Sequence, residues 1–126
     1  MPIEFTVDHD RKEVTAKAVG RITLDEIVRH LDGEHGQRGI PYRELVDASG
    51  ATAAFTHAEA RQLVELARRL AAAGGFGPTA ILVSNAVTYG MLRLLEVLME
   101  DVAPLRPFWA DEREQAEQWL LGVGPA

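Results

Sequence analysis

Residues 44–70, ELVDASGATAAFTHAEARQLVELARRL, contain one complete unit of an α/β fold and decide the fold class. The opening letters ELVDA are typical of a short buried strand, and Ser49 to Phe55 are expected to form a loop. Thr56 and Glu59 then match a capping box, in which a threonine oxygen accepts a backbone N–H bond and a glutamate three residues later reaches back. The stretch that follows has the apolar stripe of an amphipathic helix: Leu63, Leu66, Ala67 and Leu70.

The same strand-then-helix signal occurs twice more, at Thr23–Glu26 and at Asp111–Glu114. Each follows an apolar, strand-like run, so each predicts a helix that starts just after a strand. Upstream of the first, Ile3 to Asp8 alternates apolar and polar residues, and a similar alternation resumes at Val14 and leads to Ile22. The short turn between these runs predicts a β-hairpin at the start of the chain.

Downstream of residue 70, the sequence predicts two more strands and a helix. Thr79 to Ser84, TAILVS, is apolar throughout, as expected for a central parallel strand covered on both faces. A helix is expected from about Ala86 to Asp101. Leu105 to Ala110 is expected to be the last strand, and to lie at an edge because Pro107 cannot donate to a ladder.

The element order is therefore ββαβαβαβα. Alternating strands and helices require parallel pairing through crossover helices. We predict a single α/β domain over residues 1–126, with a mostly parallel five-stranded sheet, one antiparallel edge strand, four helices and a frayed tail at residues 122–126.

Composition excludes several classes of function. The chain of 126 residues has a formal net charge of −6, which argues against a nucleic-acid partner. It has no cysteine, which excludes disulfides and thiolate metal sites. Its start lacks the pattern of a signal peptide, and no apolar run is long enough to span a membrane. We expect a cytoplasmic protein without membrane insertion.

The order of elements and the chain length resemble those of the STAS and SpoIIAA-like group, the fold of anti-sigma-factor antagonists. Four segments of the sequence carry the resemblance. The group's opening strand and Thr-Leu-rich helix are similar to residues 13–31, EVTAKAVGRITLDEIVRHL, and its central unit is similar to residues 44–70. Residues 80–100, AILVSNAVTYGMLRLLEVLME, and residues 107–120, PFWADEREQAEQWL, resemble its closing half. The resemblance implies a bacterial binding or regulatory module.

The second helix departs from the pattern of the sporulation-type antagonists. Those proteins open this helix with Asp-Ser-Ser-Gly, and a serine there is phosphorylated. Phe55 to Glu59 contains no serine, and Thr56 is the only hydroxyl-bearing residue in that segment. The resemblance therefore points to the divergent SpoIIAA-like branch, related in fold to Sec14-type lipid-binding domains, without the phosphorylation switch.

Parallel sheets bind ligands beyond the carboxyl ends of their strands, and we call this edge the carboxyl rim. Three rim residues, Asp47, Ser49 and His57, have the residue types of a hydrolytic triad, which leaves a small hydrolase or transferase as the alternative function. A turn role explains Asp47 and Ser49, His57 is expected in an exposed first helical turn, and no G-x-S-x-G elbow is present. The predicted ligand or partner rim consists of Asp47, Ser49, Thr56, His57, Ser84, Asn85, Tyr89 and Trp109.

The sequence predicts neither a metal site nor a cofactor. His30, Glu34 and His35 fit no standard zinc spacing, and Gly33, the first of three glycines with Gly36 and Gly39, is expected to end the helix before a site could form. The glycines at 74, 75 and 77 follow a helix rather than precede one, so they are expected to be a helix stop.

The third helix is too apolar for a surface helix with one buried stripe. Three explanations are open: burial by neighbouring helices, a homodimer interface, or the wall of an apolar pocket. The chain is accordingly expected to form a homodimer, or to bind a protein partner or a small apolar ligand. The residues predicted to form this face are Met91, Leu92, Leu95 and Met99.

Overall fold

The computed structural model describes residues 3–38, 42–74 and 76–123, with the backbone alone for residues 33–38. The strands are β1 (Ile3–Asp8), β2 (Glu13–Ile22), β3 (Arg43–Ala53), β4 (Thr79–Val83) and β5 (Leu105–Trp109). The helices are α1 (Leu24–Arg38), α2 (His57–Ala72), α3 (Ala86–Leu98) and α4 (Arg113–Val123), with a 3₁₀ turn at Ala110–Glu112 before α4.

The five strands form one sheet in the order β1-β2-β3-β4-β5. β1 is antiparallel to β2, and the other three pairs are parallel. This confirms the predicted fold class, including the opening hairpin and the edge position of β5 that Pro107 indicates.

The helices divide unevenly between the two faces of the sheet. A connection between neighbouring parallel strands is right-handed, so three successive connections in one direction place α1, α2 and α3 on the same face. The larger core lies under these helices. α4 folds back over the opposite face, where Ala116 and Leu120 pack with Leu45, Leu82 and Phe108.

The three predicted capping boxes have three different outcomes. At α2 the box is complete: Thr56 Oγ1 accepts from the Glu59 amide at 3.1 Å, and Glu59 Oε1 accepts from the Thr56 amide at 2.8 Å. At α1 Thr23 Oγ1 accepts from the Glu26 amide at 3.4 Å, but its own hydroxyl donates to Glu26 Oε1.

The prediction of a capping box at Asp111 is wrong. The chain leaves β5 through the 3₁₀ turn, which starts one residue before Asp111. Glu112 Oε1 accepts from the Trp109 amide at 2.8 Å. The reciprocal glutamate bond therefore joins Glu112 to Trp109, two residues before the expected pair of Glu114 and Asp111.

Two predicted element boundaries are also wrong. Residues 49–53 belong to β3 rather than to a loop, because β2 continues beside them as far as the pair Ile22 and Ala53. α1 does not end at Gly33 but continues through Gly36 to Arg38, since glycine within a helix costs only about 1 kcal/mol relative to alanine. Gly39 lies outside the described residues.

The other two differences concern helix ends. α3 ends at Leu98 rather than at Asp101. α4 continues into the expected tail as far as Val123, and residues 124–126 lie outside the described part of the chain.

We predict that Thr56→Ala lowers the free energy of unfolding by about 1 kcal/mol, because the Glu59 amide loses its acceptor. Thr56→Ser, which keeps the hydroxyl, should remain close to the wild type. Urea denaturation of the three proteins measures the difference, and equal stability of the alanine and serine variants would contradict the role of the cap.

Candidate functional site

The carboxyl rim is built around the second half of β3, which extends beyond its neighbour β4. The pairing between β3 and β4 ends at Asp47 and Leu82. From Gly50 to Ala53, β3 pairs with β2, and its described pairing with β4 has already ended. The backbone groups on its other side therefore need partners from elsewhere.

Three side chains, two from the turn between β4 and α3 and one from the first turn of α3, take the place of the missing strand. Ser84 Oγ donates to the Ser49 carbonyl, and Asn85 Nδ2 donates to the Ala51 carbonyl at 3.1 Å. Thr88 Oγ1 accepts from the Ala53 amide at 3.0 Å.

Asn85 also starts α3. Its Oδ1 accepts from the Thr88 amide at 2.9 Å, while its Nδ2 holds β3. The amide thus serves two backbone partners at once. Together with Ser84 it fixes the turn to β3, and both side chains of the predicted rim are engaged by backbone rather than displayed toward a ligand.

Asp47 and Ser49 form a closed turn of their own. Asp47 Oδ1 accepts from both the amide and the hydroxyl of Ser49, at 3.1 Å and 2.7 Å. The Ser49 hydroxyl is the main cause that lowers the pKa of Asp47. The Ser49 amide and the positive charges of Arg113 and Lys17 act in the same direction, while partial burial opposes them.

The triad residue types do not come together as a triad. A Ser-His-Asp triad requires the histidine to lie between the hydroxyl and the carboxylate. Here the Ser49 hydroxyl donates directly to Asp47, and in the described part of the chain no hydrogen bond joins His57 to either residue. His57 is exposed in the first turn of α2.

The two aromatic residues of the rim stack on each other. The rings of Tyr89 and Trp109 are parallel, with centroids 4.4 Å apart. This contact joins α3 to the end of β5 and leaves Trp109 38% exposed. Stacking of this kind stabilises the contact by about 0.5–1.5 kcal/mol beyond burial, so it accounts for both side chains without a ligand.

Among the residues described, no group of three or more histidine and acidic side chains could hold a metal ion. His30 contacts Glu44, and the side chains of Glu34 and His35 lie outside the described residues. Within the same limits, no helix is long and apolar enough to cross a membrane.

An apolar cavity lies elsewhere, between the sheet and α1, α2 and α3, with a volume of about 150 Å³. It exists because the strands and α2 place small side chains where larger ones would fill the space. Almost all of its wall is apolar. The alanines that contribute to the wall are Ala18, Ala48, Ala51, Ala53 and Ala67.

Three of the four residues predicted to form the apolar face of α3 line this cavity. Leu92, Leu95 and Met99 are buried in the single chain, at 6%, 6% and 3% exposure. They are therefore not available on the surface for a second copy. Met91 is only half-buried and is not part of the cavity wall.

One end of the cavity carries two ionisable side chains. His30 Nε2 lies 2.8 Å from Glu44 Oε2, and the two side chains are only 8% and 5% exposed. The Phe5 ring packs edge-on against the His30 ring at 5.2 Å. We call His30 and Glu44 the buried pair.

The buried pair lies at the opposite edge of the sheet from the predicted carboxyl rim. Glu44 stands at the start of β3, in register with Thr79 at the start of β4, so the buried pair is at the amino ends of the strands. A signal was present: Glu44, Val46 and Ala48 alternate along β3, which places the glutamate on the same face as two apolar residues.

No protein-family model and no curated protein sequence matches the chain. Its structure is similar to the crystal structure of an uncharacterized protein from the DUF3478 family with a SpoIIAA-like fold, from Shewanella loihica PV-4. The TM-score is 0.58 and the sequence identity 17%, over 94% of this chain and 93% of that chain. The chain has a SpoIIAA-like fold. At this identity, the similarity shows the fold alone.

The start of α2 in this SpoIIAA-like fold is exposed, but the Thr56 hydroxyl oxygen is already engaged in the helix cap. It accepts from the Glu59 amide, and Glu59 Oε1 accepts from the Thr56 amide in return. The absence of a phosphorylation switch at this helix stays a prediction.

We predict that Ser49→Ala raises the pKa of Asp47, because the hydroxyl bond that favours the carboxylate is lost. A lowered pKa in the folded state stabilises the protein above the unfolded-state pKa, and this contribution disappears as the pH falls through the folded-state value. The variant should therefore lose less stability than the wild type on acidification across that range.

An NMR titration of the Asp47 carboxyl group measures the pKa directly. Ser84→Ala is the matched control, because Ser84 donates to the Ser49 carbonyl and not to Asp47. An unchanged pKa in Ser49→Ala would show that the hydroxyl is not the cause.

Proposed function

We propose that this chain is a non-enzymatic, cytoplasmic binding module that holds a small apolar ligand in the cavity between the sheet and α1, α2 and α3. The observation that carries the proposal is an apolar cavity of about 150 Å³ bounded by three helices and the sheet. Interiors normally close voids of this size, because every lining atom loses packing contacts.

The cavity volume limits the size of the ligand. A cavity of about 150 Å³ engineered into another protein stays dry and binds benzene, whereas pockets for drug-sized ligands measure about 300–1,000 Å³. The ligand in this protein should therefore have about six to ten non-hydrogen atoms, the size of a substituted benzene ring or a short branched chain.

α1 is the part of the cavity wall that we expect to move aside when a ligand enters. Apart from the His30 side chain, its described side chains are at most half-buried, although Ile27 and Leu31 line the cavity. α2 and α3, in contrast, each carry fully buried residues. Segments with few buried apolar contacts open at the lowest free energy, so displacement of α1 is the least costly route to the cavity.

We predict that benzene or toluene at millimolar concentration raises the melting temperature of the wild type by binding only the folded state. Ala48→Leu should abolish the shift, because the larger side chain occupies the cavity. Ala58→Leu adds the same atoms at an exposed position of α2 and is the matched control.

The unliganded Ala48→Leu variant should be at least as stable as the wild type, since it fills a void rather than overpacking a dense core. The absence of any shift in the wild type would contradict the proposal. Hydrolysis of esters that Ser49→Ala abolishes would contradict the non-enzymatic assignment.

A homodimer through α3 stays a prediction, and one observation favours it. An apolar stripe remains beside the buried face of α3 at helical spacing, formed by Val87, Met91, Leu94 and Leu98. Val87 is 67% exposed and the other three are half-buried. Two-fold dimers are the commonest soluble oligomers, and a stripe of this kind suits a self-complementary contact.

We predict that Val87→Glu dissociates the dimer without unfolding the chain, because Val87 is mostly exposed. Val97→Glu is the control: Val97 is 59% exposed and lies on another side of the same helix. Sedimentation velocity at micromolar concentration reports the oligomeric state. A wild type that sediments as a monomer would contradict the predicted dimer.

A further inference from the structure

A second cavity lies on the other face of the sheet, between β2, β3 and α4, with a volume of about 170 Å³. Three arginines from three parts of the chain line it: Arg11 in the turn between β1 and β2, Arg43 at the start of β3, and Arg113 at the start of α4. We call this cavity the arginine cleft. It shares no lining residue with the apolar cavity, so a ligand bound here would be independent of the proposed function.

The arginine cleft carries a surplus of positive charge. Two glutamates, Glu13 and Glu117, also line it, so its formal charges are three positive and two negative, whereas the whole chain has a net charge of −6. A guanidinium group stays protonated in proteins, so the three positive charges are fixed. The cleft is therefore a place where an otherwise acidic protein can attract an anion.

Two of the three arginines share a single carboxylate oxygen. Arg43 Nη2 lies 2.8 Å from Glu13 Oε1, and Arg11 Nη2 lies 3.1 Å from the same atom. A guanidinium group has five N–H donors, so one oxygen cannot satisfy two such groups. Among the described residues, no other acidic side chain pairs with Arg11 or Arg43. Donors on both groups therefore remain for an anion.

The position of Arg113 is unfavourable for the helix that carries it. Arg113 is the first residue of α4, and the amino end of a helix repels positive charge. Its Nε atom lies 3.5 Å from Glu117 Oε1, but both side chains are about half exposed, and ion pairs at such exposure add little to stability. Helix stability thus does not explain this arginine, whereas an anion in the cleft would stabilise its charge.

We propose that the arginine cleft binds a small phosphate-bearing anion, either inorganic phosphate or a short phosphate monoester. The donors come from a turn, a strand and a helix. The oxygens of a phosphate group point in several directions and suit such donors, whereas the two oxygens of a carboxylate lie in one plane. Arginine is the residue that binds phosphate through paired N–H bonds.

The size and the remaining wall of the cleft fit this ligand. A cavity of about 150 Å³ holds benzene, and a phosphate group is no larger, so a cleft of this volume accommodates phosphate with a short chain attached. Leu121 on α4 lines the cleft and is 66% exposed. The chain of a monoester would cover this leucine, which is favourable because apolar surface leaves water.

The test is isothermal titration calorimetry of the full chain with sodium phosphate, n-propyl phosphate and sodium acetate. Low ionic strength limits screening, and at about pH 8 both phosphates are mainly dianions. The tighter-binding phosphate should exceed acetate in affinity by at least about tenfold, because it carries more charge and more acceptor oxygens. Whichever of the two phosphates binds more tightly identifies the source of the group.

Arg43→Gln tests the least exposed of the three guanidinium groups. Phosphate affinity should fall by at least about tenfold, because charge-assisted hydrogen bonds are lost. Arg69→Gln is the matched control, since it makes the same change of charge at an exposed position of α2 outside the cleft. It should stay within about twofold of the wild type, because salt screens distant exposed charges.

A second variant guards against misfolding of the first. Arg113→Gln removes a positive charge from the amino end of α4, which the helix itself favours, so this variant should fold. Its phosphate affinity should nevertheless fall by at least about threefold, because one charged donor is lost. Circular dichroism confirms that each variant is folded before titration.

Glu13→Gln separates a binding site from a set of internal ion pairs. In the wild type, Glu13 competes with the anion for Arg11 and Arg43. The change removes a negative charge from the cleft, so phosphate should bind more tightly by at least about threefold. Glu65→Gln, at an exposed position of α2, is the matched control and should leave the affinity unchanged.

Three results would overturn the inference. The first is a wild type that binds neither phosphate, and it would leave the apolar-ligand proposal untouched because the two cavities are separate. The second is acetate binding as tight as that of the phosphates. The third is a phosphate affinity that is unchanged in the folded Arg43→Gln and Arg113→Gln proteins, or that Arg69→Gln lowers as much as Arg43→Gln does.

Discussion

The handedness of the crossovers is the constraint on which the rest of the structure depends. Each parallel strand is followed by a helix and then by its immediate neighbour in the sheet, so the helices between β2 and β5 must all lie on one face. One face of the sheet consequently carries three helices, and the other is left to α4. The cavity, the buried pair and the apolar side of α3 all lie in the crowded layer.

Within that layer, side-chain size decides whether the space is filled. Helices pack about 10 Å from a sheet only when the facing residues are large enough to meet. Ala48 and Ala51 on β3 line the void together with Leu92 and Leu95 on α3, and the short alanine side chains leave space that larger ones would fill. The void is thus a property of two adjoining surfaces and not of either alone.

The carboxyl rim shows how polar residues can be engaged by a fold without being available for chemistry. β3 is longer than β4, and its unpaired backbone is satisfied by Ser84, Asn85 and Thr88. These residue types also line active sites in parallel sheets, which is why sequence alone places a ligand there. What distinguishes the two cases is where the hydrogen bonds go, and that depends on the relative lengths of two strands.

Local patterns were sufficient to predict the element order, the opening hairpin and the edge position of β5. Period-two alternation, helical stripes and Pro107 act over a few residues, so they can be recognised in the sequence. The extension of β3 to Ala53 could not be predicted, because it depends on β2, which lies some thirty residues away in the chain.

The candidate site was predicted only in part, for the same reason. Leu92, Leu95 and Met99 were recognised as candidates for a pocket wall, but the buried pair was not recognised. His30 and Glu44 lie on α1 and β3, and neither residue alone indicates burial. Their contact arises from packing across the crossover, which a single sequence does not display.

Pro107 has a consequence for how this sheet can associate with other chains. A proline within an edge strand removes an amide donor from the outward side, so β5 is a poor template for another strand. β1 forms the opposite edge of the described sheet and contains no proline between Ile3 and Asp8. Continuous fibres need two edge strands per molecule that can each pair with another chain. A molecule with one such edge strand can pair once and then has no free edge left. Association through strand edges would therefore stop at pairs of chains.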